Sequence, residues 1–464
     1  MLNITKNFEW IKNSNLVLLF KSRVDLEKYN FLNLDKKILS KIEDVFNKQK
    51  NDVKKFFLGR EDFEELTIFF FLESKKDIHV FLWENISSIP DKVTFEYDKD
   101  NILLDSIVLW KYDYDAYKSE KKELDLNIVC IDLLMPLLEE RFYTLKNITD
   151  CRDLVNKPAC DKTPDKYLEH IKWIKFNNTK VKVITYDEVK KLWLNLLDAV
   201  WKWASSKPRL VILERIVDKK AKTIWLVWKW ITFDTWWLNI KPENYMLWMK
   251  DDMAWSAALL YTMKELDDKE IDFNIICALA IAENSVSADS YRPGDIIKSY
   301  SGKTVEVTNT DAEWRLVLAD AVSYISDNYE LESITTVATL TGACMVALGY
   351  NYARIMWDNR QLLDNLLKNE TYEKYWELQF DEFYKEKTKW KISDFINYTE
   401  WVYAWSTMWW TFLYNFCLND EKFAHIDIAW TAFVKEKYWL YNVWATWFWV
   451  DSLSKTILNY GKIS

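Results

Sequence analysis

Six glycines in a chain of 464 residues constrain this fold more than any motif does. Left-handed turns and close approaches of backbone to ligand are made cheaply only by a residue without Cβ. Ordinary usage would supply about 32 glycines in a chain of this length. The chain carries 27 tryptophans instead. Half of its residues are apolar, which excludes wholesale disorder and allows a substantial core. The length suits two or three domains.

Charge and cysteine usage narrow the function classes. With 62 basic against 71 acidic residues the net charge is −9, which repels phosphate backbones and argues against a nucleic-acid binder. Tryptophans that stack on bases work within basic grooves, and the tryptophan-rich half shows none. Cys130, Cys151, Cys160, Cys277, Cys344 and Cys417 form no Cys-x-x-Cys pair, so neither a zinc ribbon nor a thioredoxin motif is present. Scattered cysteines fit buried thiols in a reducing compartment. The apolar run Leu16 to Phe20 is too short for a signal peptide. Two uncharged stretches, Ser333 to Ala353 and Trp401 to Asn419, are interrupted by Ser, Thr and Asn, unlike a bilayer span. The expectation is a soluble cytoplasmic protein with no membrane contact.

Periodicity predicts an α/β protein of two parts. Residues 1–130 read as a small α/β domain, with strands at Ile68–Leu72, Val80–Trp83 and Ile107–Leu109 and helical spacing over Asp35–Phe57. An amphipathic segment, Ile131–Val155, gives a linking helix over 131–157, punctuated by Pro158 and Thr163-Pro164. In residues 158–464 strand-like runs such as Leu210–Leu213 and Ile224–Val227 alternate with helical stretches such as Ala312–Ile325. That alternation predicts a three-layer αβα domain.

Acidic and basic residues concentrate in two clusters at strand ends. The first runs from Trp228-Lys229-Trp230 through Asp234 to Lys241-Pro242 and Met249-Lys250-Asp251-Asp252. The second is Asn309-Thr310-Asp311-Ala312-Glu313-Trp314-Arg315-Leu316. With three histidines in the whole chain, a catalytic metal site must rely on carboxylates, a donor set for Mn²⁺, Mg²⁺ or paired Zn²⁺. Taken alone, Asp and Lys at strand ends are more often surface or structural.

Their order resembles the signature of the leucyl (cytosol) aminopeptidase family of two-metal exopeptidases. The family reads Val-Gly-Lys-Gly-Ile-Thr-Phe-Asp-Thr-Gly-Gly and Asn-Thr-Asp-Ala-Glu-Gly-Arg-Leu. This chain matches except that tryptophan stands at glycine positions, at Trp228, Trp230, Trp236, Trp237, Trp255 and Trp314. The same holds downstream at Trp405, Trp409, Trp410, Trp430, Trp444, Trp447 and Trp449. Ala282-Glu283-Asn284, Tyr291-Arg292-Pro293-Gly294-Asp295, Thr339-Leu340-Thr341-Gly342 and His425-Ile426-Asp427 match without substitution.

The resemblance implies a smaller N-terminal α/β domain and a C-terminal αβα zinc-peptidase-like domain. It also implies hydrolysis of N-terminal residues from peptides by a water bridging two metal ions, manganese or zinc. Asp234 and Glu313 would bridge the ions, Asp311 would complete one shell, and Lys229 and Asp252 the other. Lys241 would stabilise the oxyanion, and Arg315 would hold a bicarbonate that shuttles protons. Met249, Asn309, Thr339 and Leu340 would line the substrate pocket. Partners would be peptides with a free N-terminus, in a homohexamer. The competing reading is a regulatory or DNA-binding role on the same scaffold, which the acidic balance disfavours.

Three other features carry less. His425 reads as a structural histidine. Ser301-Gly302-Lys303-Thr304 ends like a phosphate loop, but Ile297 stands where the first glycine belongs. No Gly-x-Ser-x-Gly elbow occurs, even with Trp read as Gly.

The tryptophans themselves suggest recoding. Some bacterial lineages read UGA as glycine, and a translation table that assigns UGA to tryptophan would print Trp in its place. Restoring roughly 23 of the 27 gives about 29 glycines, near ordinary usage.

Overall fold

The computed structural model describes residues 2–460 other than 9–10, 12–13, 73–76, 202–205, 236–242, 248, 285–290, 339–342, 358–359, 369–372, 380, 400–403, 420, 429–430, 437–442 and 447–448. It divides into two compact units, Met1–Thr149 with Glu436–Val443, and Asp150–Lys435 with Trp444–Ser464. The division falls inside the long helix Met135–Asn156.

The first unit holds a six-stranded sheet. Its strands are β1 (Leu2–Thr5), β2 (Ser14–Phe20), β3 (Asp52–Phe57), β4 (Phe63–Phe70), β5 (Lys92–Glu96) and β6 (Asp125–Val129), in the order β1-β6-β5-β2-β4-β3. All neighbours are parallel except β3, which runs against β4. Two expected strands are helices here. Val80–Trp83 lies in the helix Ile78–Glu84, opened by the Asp77 side chain accepting the His79 N–H. Ile107–Leu109 lies in Ile102–Trp110, which is buried almost all round, so its apolar run shows no face by which helix and strand could be told apart. The helical spacing over Asp35–Phe57 covers a real helix only to Lys48, where Gln49 turns left-handed and β3 follows. The lysines of β3, an edge strand, resemble those of a helix surface.

The second unit is built on an eight-stranded sheet. In chain order its strands include β7 (Lys180–Ile184), β8 (Arg209–Arg215), β9 (Thr223–Asp234), β10 (Asn274–Asn284), β11 (Ile296–Lys298), β12 (Thr304–Glu306), β13 (Ser333–Ala338), β14 (Tyr352–Trp357), β15 (Lys374–Glu377), β16 (Phe395–Ile396) and β17 (Lys422–Asp427). The large sheet runs β15-β14-β17-β13-β9-β10-β8-β7, and β11-β12-β16 form a small separate sheet. The central strands β17, β13, β9 and β10 are mutually parallel. Such strands are covered on both faces, and β10 reads accordingly as an apolar run buried nearly end to end.

Alternation along β10 separates the two layers. Ile276, Ala278, Ala280 and Ala282 join a core with Val317, Ala321 and Ile325 of the helix Glu313–Asn328 and with Trp409 and Phe412 of the helix Trp405–Tyr414. Ile275, Cys277, Leu279 and Ile281, also buried, alternate with them and so point to the opposite face. Helices Ala254–Leu266 and Val450–Tyr460 pack together, and the former lies against β9. The unit is therefore a three-layer αβα sandwich.

One buried carboxylate fixes the packing of the first layer. Asp320, inside Glu313–Asn328, accepts the N–H groups of Leu196 and Leu197 at 2.7 and 3.1 Å and of Tyr300 at 2.8 Å. The first two open the helix Asn195–Trp201, whose leading donors have no partner within the helix. Asp320→Ala leaves these buried donors without an acceptor and is expected to cost about 3 kcal/mol or more. Urea unfolding checks this, and an unchanged midpoint would refute it.

Candidate metal centre

Three carboxylates converge at the carboxyl ends of the central strands, the usual location for sites in parallel sheets. Asp234 ends β9, Asp252 precedes the helix Ala254–Leu266, and Glu313 is the first residue of the helix Glu313–Asn328. Each offers an oxygen, and these oxygens all lie within 4.8 Å of one another. Relative exposures are 3%, 8% and 0% respectively. Three buried carboxylates at such spacing repel one another unless protons or cations neutralise them. An all-oxygen set of this kind fits a hard or borderline divalent ion, and these residues fit a metal centre on that chemistry.

Local structure aims each ligand. Between β9 and β10 the register slips, so Ala282 pairs with Ile231 but Asn284 pairs with Asp234. The additional residue on β9 is a bulge, a device that re-aims a strand's side chains. Asn284 then donates from Nδ2 to Asp234 Oδ1 at 2.5 Å, fixing the carboxylate. Asp252 follows the turn Met249–Asp251, which is tethered by Lys250 Nζ donating to Asn156 O at 3.2 Å. The buried Lys162 lies beside it, with Nζ 3.4 Å from Met253 Sδ and donating to Val155 O at 2.5 Å. Glu313 stands where unpaired helix N–H groups favour negative charge.

The other expected residues divide into three groups. Asp311 lies in the turn Thr310–Ala312 immediately before Glu313, outside the cluster of three; the turn is opened by Asn309 Oδ1 accepting the Asp311 N–H at 2.8 Å. Met249 is half-buried in its turn next to Asp252, and Asn309 is half-buried beside Asp311. Lys229 lies on β9, its side chain outside the description, and Lys241, Thr339 and Leu340 lie outside the described residues.

Arg315 is buried in the first turn of the helix Glu313–Asn328. Its Nη1 donates to Asn397 O, and its guanidinium carbon sits 4.4 Å from the Trp314 ring centre and 3.7 Å from that of Trp409. Burial pulls its pKa well below the ordinary arginine value, while neighbouring Glu313 favours the charge. Tyr291, buried near Glu313 and Asp234, donates its hydroxyl to Thr310 O at 2.9 Å; burial first, then those carboxylates, raise its pKa.

Sequence reasoning did not single out Asn397 or assign roles to Asn284 and Tyr291. The last two stood inside matched motifs; Asn397, far along the chain, gave no local signal. His425 is fully buried on β17, its Nδ1 2.8 Å from Thr336 Oγ1, and burial lowers its pKa to about 3. It is a neutral structural residue. Gly302, at φ 85°, lies between antiparallel β11 and β12, and Lys303 Nζ donates to Asn415 O. A strand-loop-strand hairpin lacks the helix N-terminus of a phosphate loop.

Comparison with known proteins places the chain among relatives. The model of the cytosol aminopeptidase family, catalytic domain, matches residues 149–453. A protein of Fusobacterium nucleatum subsp. nucleatum described as "Probable cytosol aminopeptidase" is 33% identical over 367 residues, covering 77% of this chain and 76% of that protein. A protein of Clostridium tetani with the same description is 30% identical over 445 residues, covering 91% and 92%. Among solved structures, the cytosol aminopeptidase from Coxiella burnetii superposes with a TM-score of 0.81 at 24% identity, covering 99% of this chain and 98% of that one. The bottromycin maturation enzyme BotP in complex with Mn superposes with a TM-score of 0.82 at 22% identity, covering 97% and 100%. At these identities the two structures show the shared fold.

Proposed function

Because the chain belongs to the cytosol aminopeptidase family, we propose that Asp234, Asp252 and Glu313 hold the divalent ions of its active site, with Lys229 and Asp311 completing two shells. The chain is a metal-dependent aminopeptidase acting on peptides. The observation that carries the residue assignment is the meeting of three buried carboxylates at the ends of the parallel strands. When bound, divalent ions supply Lewis-acid polarisation of the scissile carbonyl and an activated water. The chain's residues do the rest. Asn284 orients Asp234. Lys241 would stabilise charge developing on the carbonyl oxygen. Met249, Asn309, Thr339 and Leu340 would contact the residue to be released.

Finer features rest on the family resemblance. The oxygen-rich donor set suits manganese, with zinc as the alternative. A bicarbonate at Arg315, a homohexamer and a cytoplasmic location belong to the same reading. Among the described residues no helix is long and apolar enough to cross a membrane. The test is hydrolysis of leucyl anilide beside N-acetyl-leucyl anilide, before and after chelation. The expected result is turnover of the free amine alone, lost with EDTA and restored by Mn²⁺. Equal turnover of the acetylated compound, or indifference to chelation, would sink this function.

Glycine in place of most of the tryptophans belongs to the same proposal, and backbone geometry supports it. Trp193 follows the helix Tyr186–Lys191 with φ 60°. Its N–H donates to Lys190 O at 3.2 Å and that of Leu194 to Val189 O at 3.1 Å. This is a Schellman ending, whose left-handed position is usually glycine. Trp444 and Trp449 have φ 88° and 97°, close to the encoded glycines Gly302 and Gly294 at 85° and 97°. Trp225, Trp255 and Trp409 are fully buried with no acceptor for the indole N–H among the described residues, an uncommon state for a polar group. Glycine at Trp314 and Trp409 would also remove the two rings that lie against the Arg315 guanidinium.

A further inference from the structure

Asn397 follows the two-residue strand β16 and is fully buried. Its Oδ1 accepts the N–H of Thr308 at 2.8 Å and of Asn309 at 3.3 Å, and the Thr308 hydroxyl at 3.2 Å. Its Nδ2 donates to Asn309 O at 2.7 Å and to Ala312 O at 3.4 Å. These partners leave no choice of amide orientation, since backbone N–H groups must meet oxygen and carbonyls must meet nitrogen. One carboxamide therefore holds both ends of the segment 308–312, which carries Asp311 and leads into Glu313. Its backbone links the same segment outward. Asn397 N–H donates to Glu306 O at 3.1 Å, and its carbonyl accepts Arg315 Nη1.

A carboxylate in this place would keep the acceptor and lose both donors, and an apolar side chain would lose all. From this we infer that Asn397 is a positioning residue, which sets the Asp311–Glu313 ligand turn and the Arg315 guanidinium at a fixed spacing. The inference rests on the two-metal reading above. Groups that orient metal ligands without touching the ion typically cost about 10–100-fold in metal affinity or activity when removed. Asp252 and β9 reach the cluster from other segments and have no bond to Asn397 among those described. The effect should therefore fall most on the ion whose shell Asp311 would complete, and less on the other, which would share only Glu313 with this turn.

The experiment is Mn²⁺ titration of the full chain and of Asn397→Asp, following free Mn²⁺ by electron paramagnetic resonance. The expected result is two ions bound by the unsubstituted chain, with one weakened roughly 10–100-fold in the variant and the other clearly less. Turnover of leucyl anilide at saturating Mn²⁺ should fall mainly in kcat, because the Asn397 carbonyl that holds Arg315 shifts once its side chain no longer ties residue 397 to the turn. If Asn397→Asp does not fold, Asn397→Ser removes the amide without adding charge and is read the same way. Wild-type affinity at both sites in a folded variant overturns the inference. So does equal weakening of both, which a general loosening of the fold would produce. If the unsubstituted chain takes up no Mn²⁺, the metal reading itself fails, a result distinguishable from either.

Discussion

Glu313→Ala and Asp234→Ala should each abolish hydrolysis of leucyl anilide, with a loss of roughly 10³-fold or more. Each removes one of three buried carboxylates that meet within 4.8 Å. Lewis-acid assistance is worth several kcal/mol of transition-state stabilisation, and each 1.36 kcal/mol is about tenfold in rate. Both side chains are small enough to truncate without overpacking, and each truncation relieves like-charge repulsion when no ion is bound. The variants should therefore melt at or above the unsubstituted chain in EDTA and below it in Mn²⁺. Full activity in either variant would refute the ligand assignment. Loss of activity with loss of folding in EDTA would point to a structural role instead.

The second large effect concerns the tryptophans. Peptide mass spectrometry of the protein from its native cells, across residues 229–241, is expected to show glycine at Trp230, Trp236 and Trp237. Tryptophan there sinks the recoding proposal. Stability offers an independent reading at positions inside the described structure. A left-handed conformation costs roughly 1–2 kcal/mol for a residue with Cβ. Trp193→Gly, Trp444→Gly and Trp449→Gly together should therefore stabilise the chain as written by about 3–6 kcal/mol, a large share of a typical 5–15 kcal/mol. Trp449 is also fully buried, so its removal leaves a cavity that opposes the gain, whereas exposed Trp193 gives the cleaner measurement. An unchanged denaturation midpoint for Trp193→Gly would contradict the strain on which this rests.

Legibility in the sequence followed the physics of each element. Strands β8 and β9 show as compact apolar runs, and Glu313–Asn328, buried on nearly every side, shows as a helix by its length. Ile102–Trp110 misleads because burial on nearly all sides erases the face that marks a helix. The carboxylate cluster is legible because Asp234 and Glu313 lie in contiguous motifs whose order matches a family. Composition and spacing alone left those carboxylates as ordinary strand-end acids. The bulge that turns Asp234 toward its partners, and the reach of Asn397 across to residues 308–312, depend on pairing between distant segments. No local pattern encodes them.

The three carboxylates arrive from separate stretches of chain, and that separation has a consequence for how the chain withstands protease. An unfolded chain cannot present them together, so ions that bind the cluster bind the folded state in preference. At about a hundredfold excess over the dissociation constant, such binding adds roughly 2.7 kcal/mol per site to the folded state. With ions held at this cluster, metal supply would bear on the stability of the folded chain as well as on its rate. Limited proteolysis in EDTA would then cut the chain faster than in Mn²⁺, because protease acts on the transiently opened form.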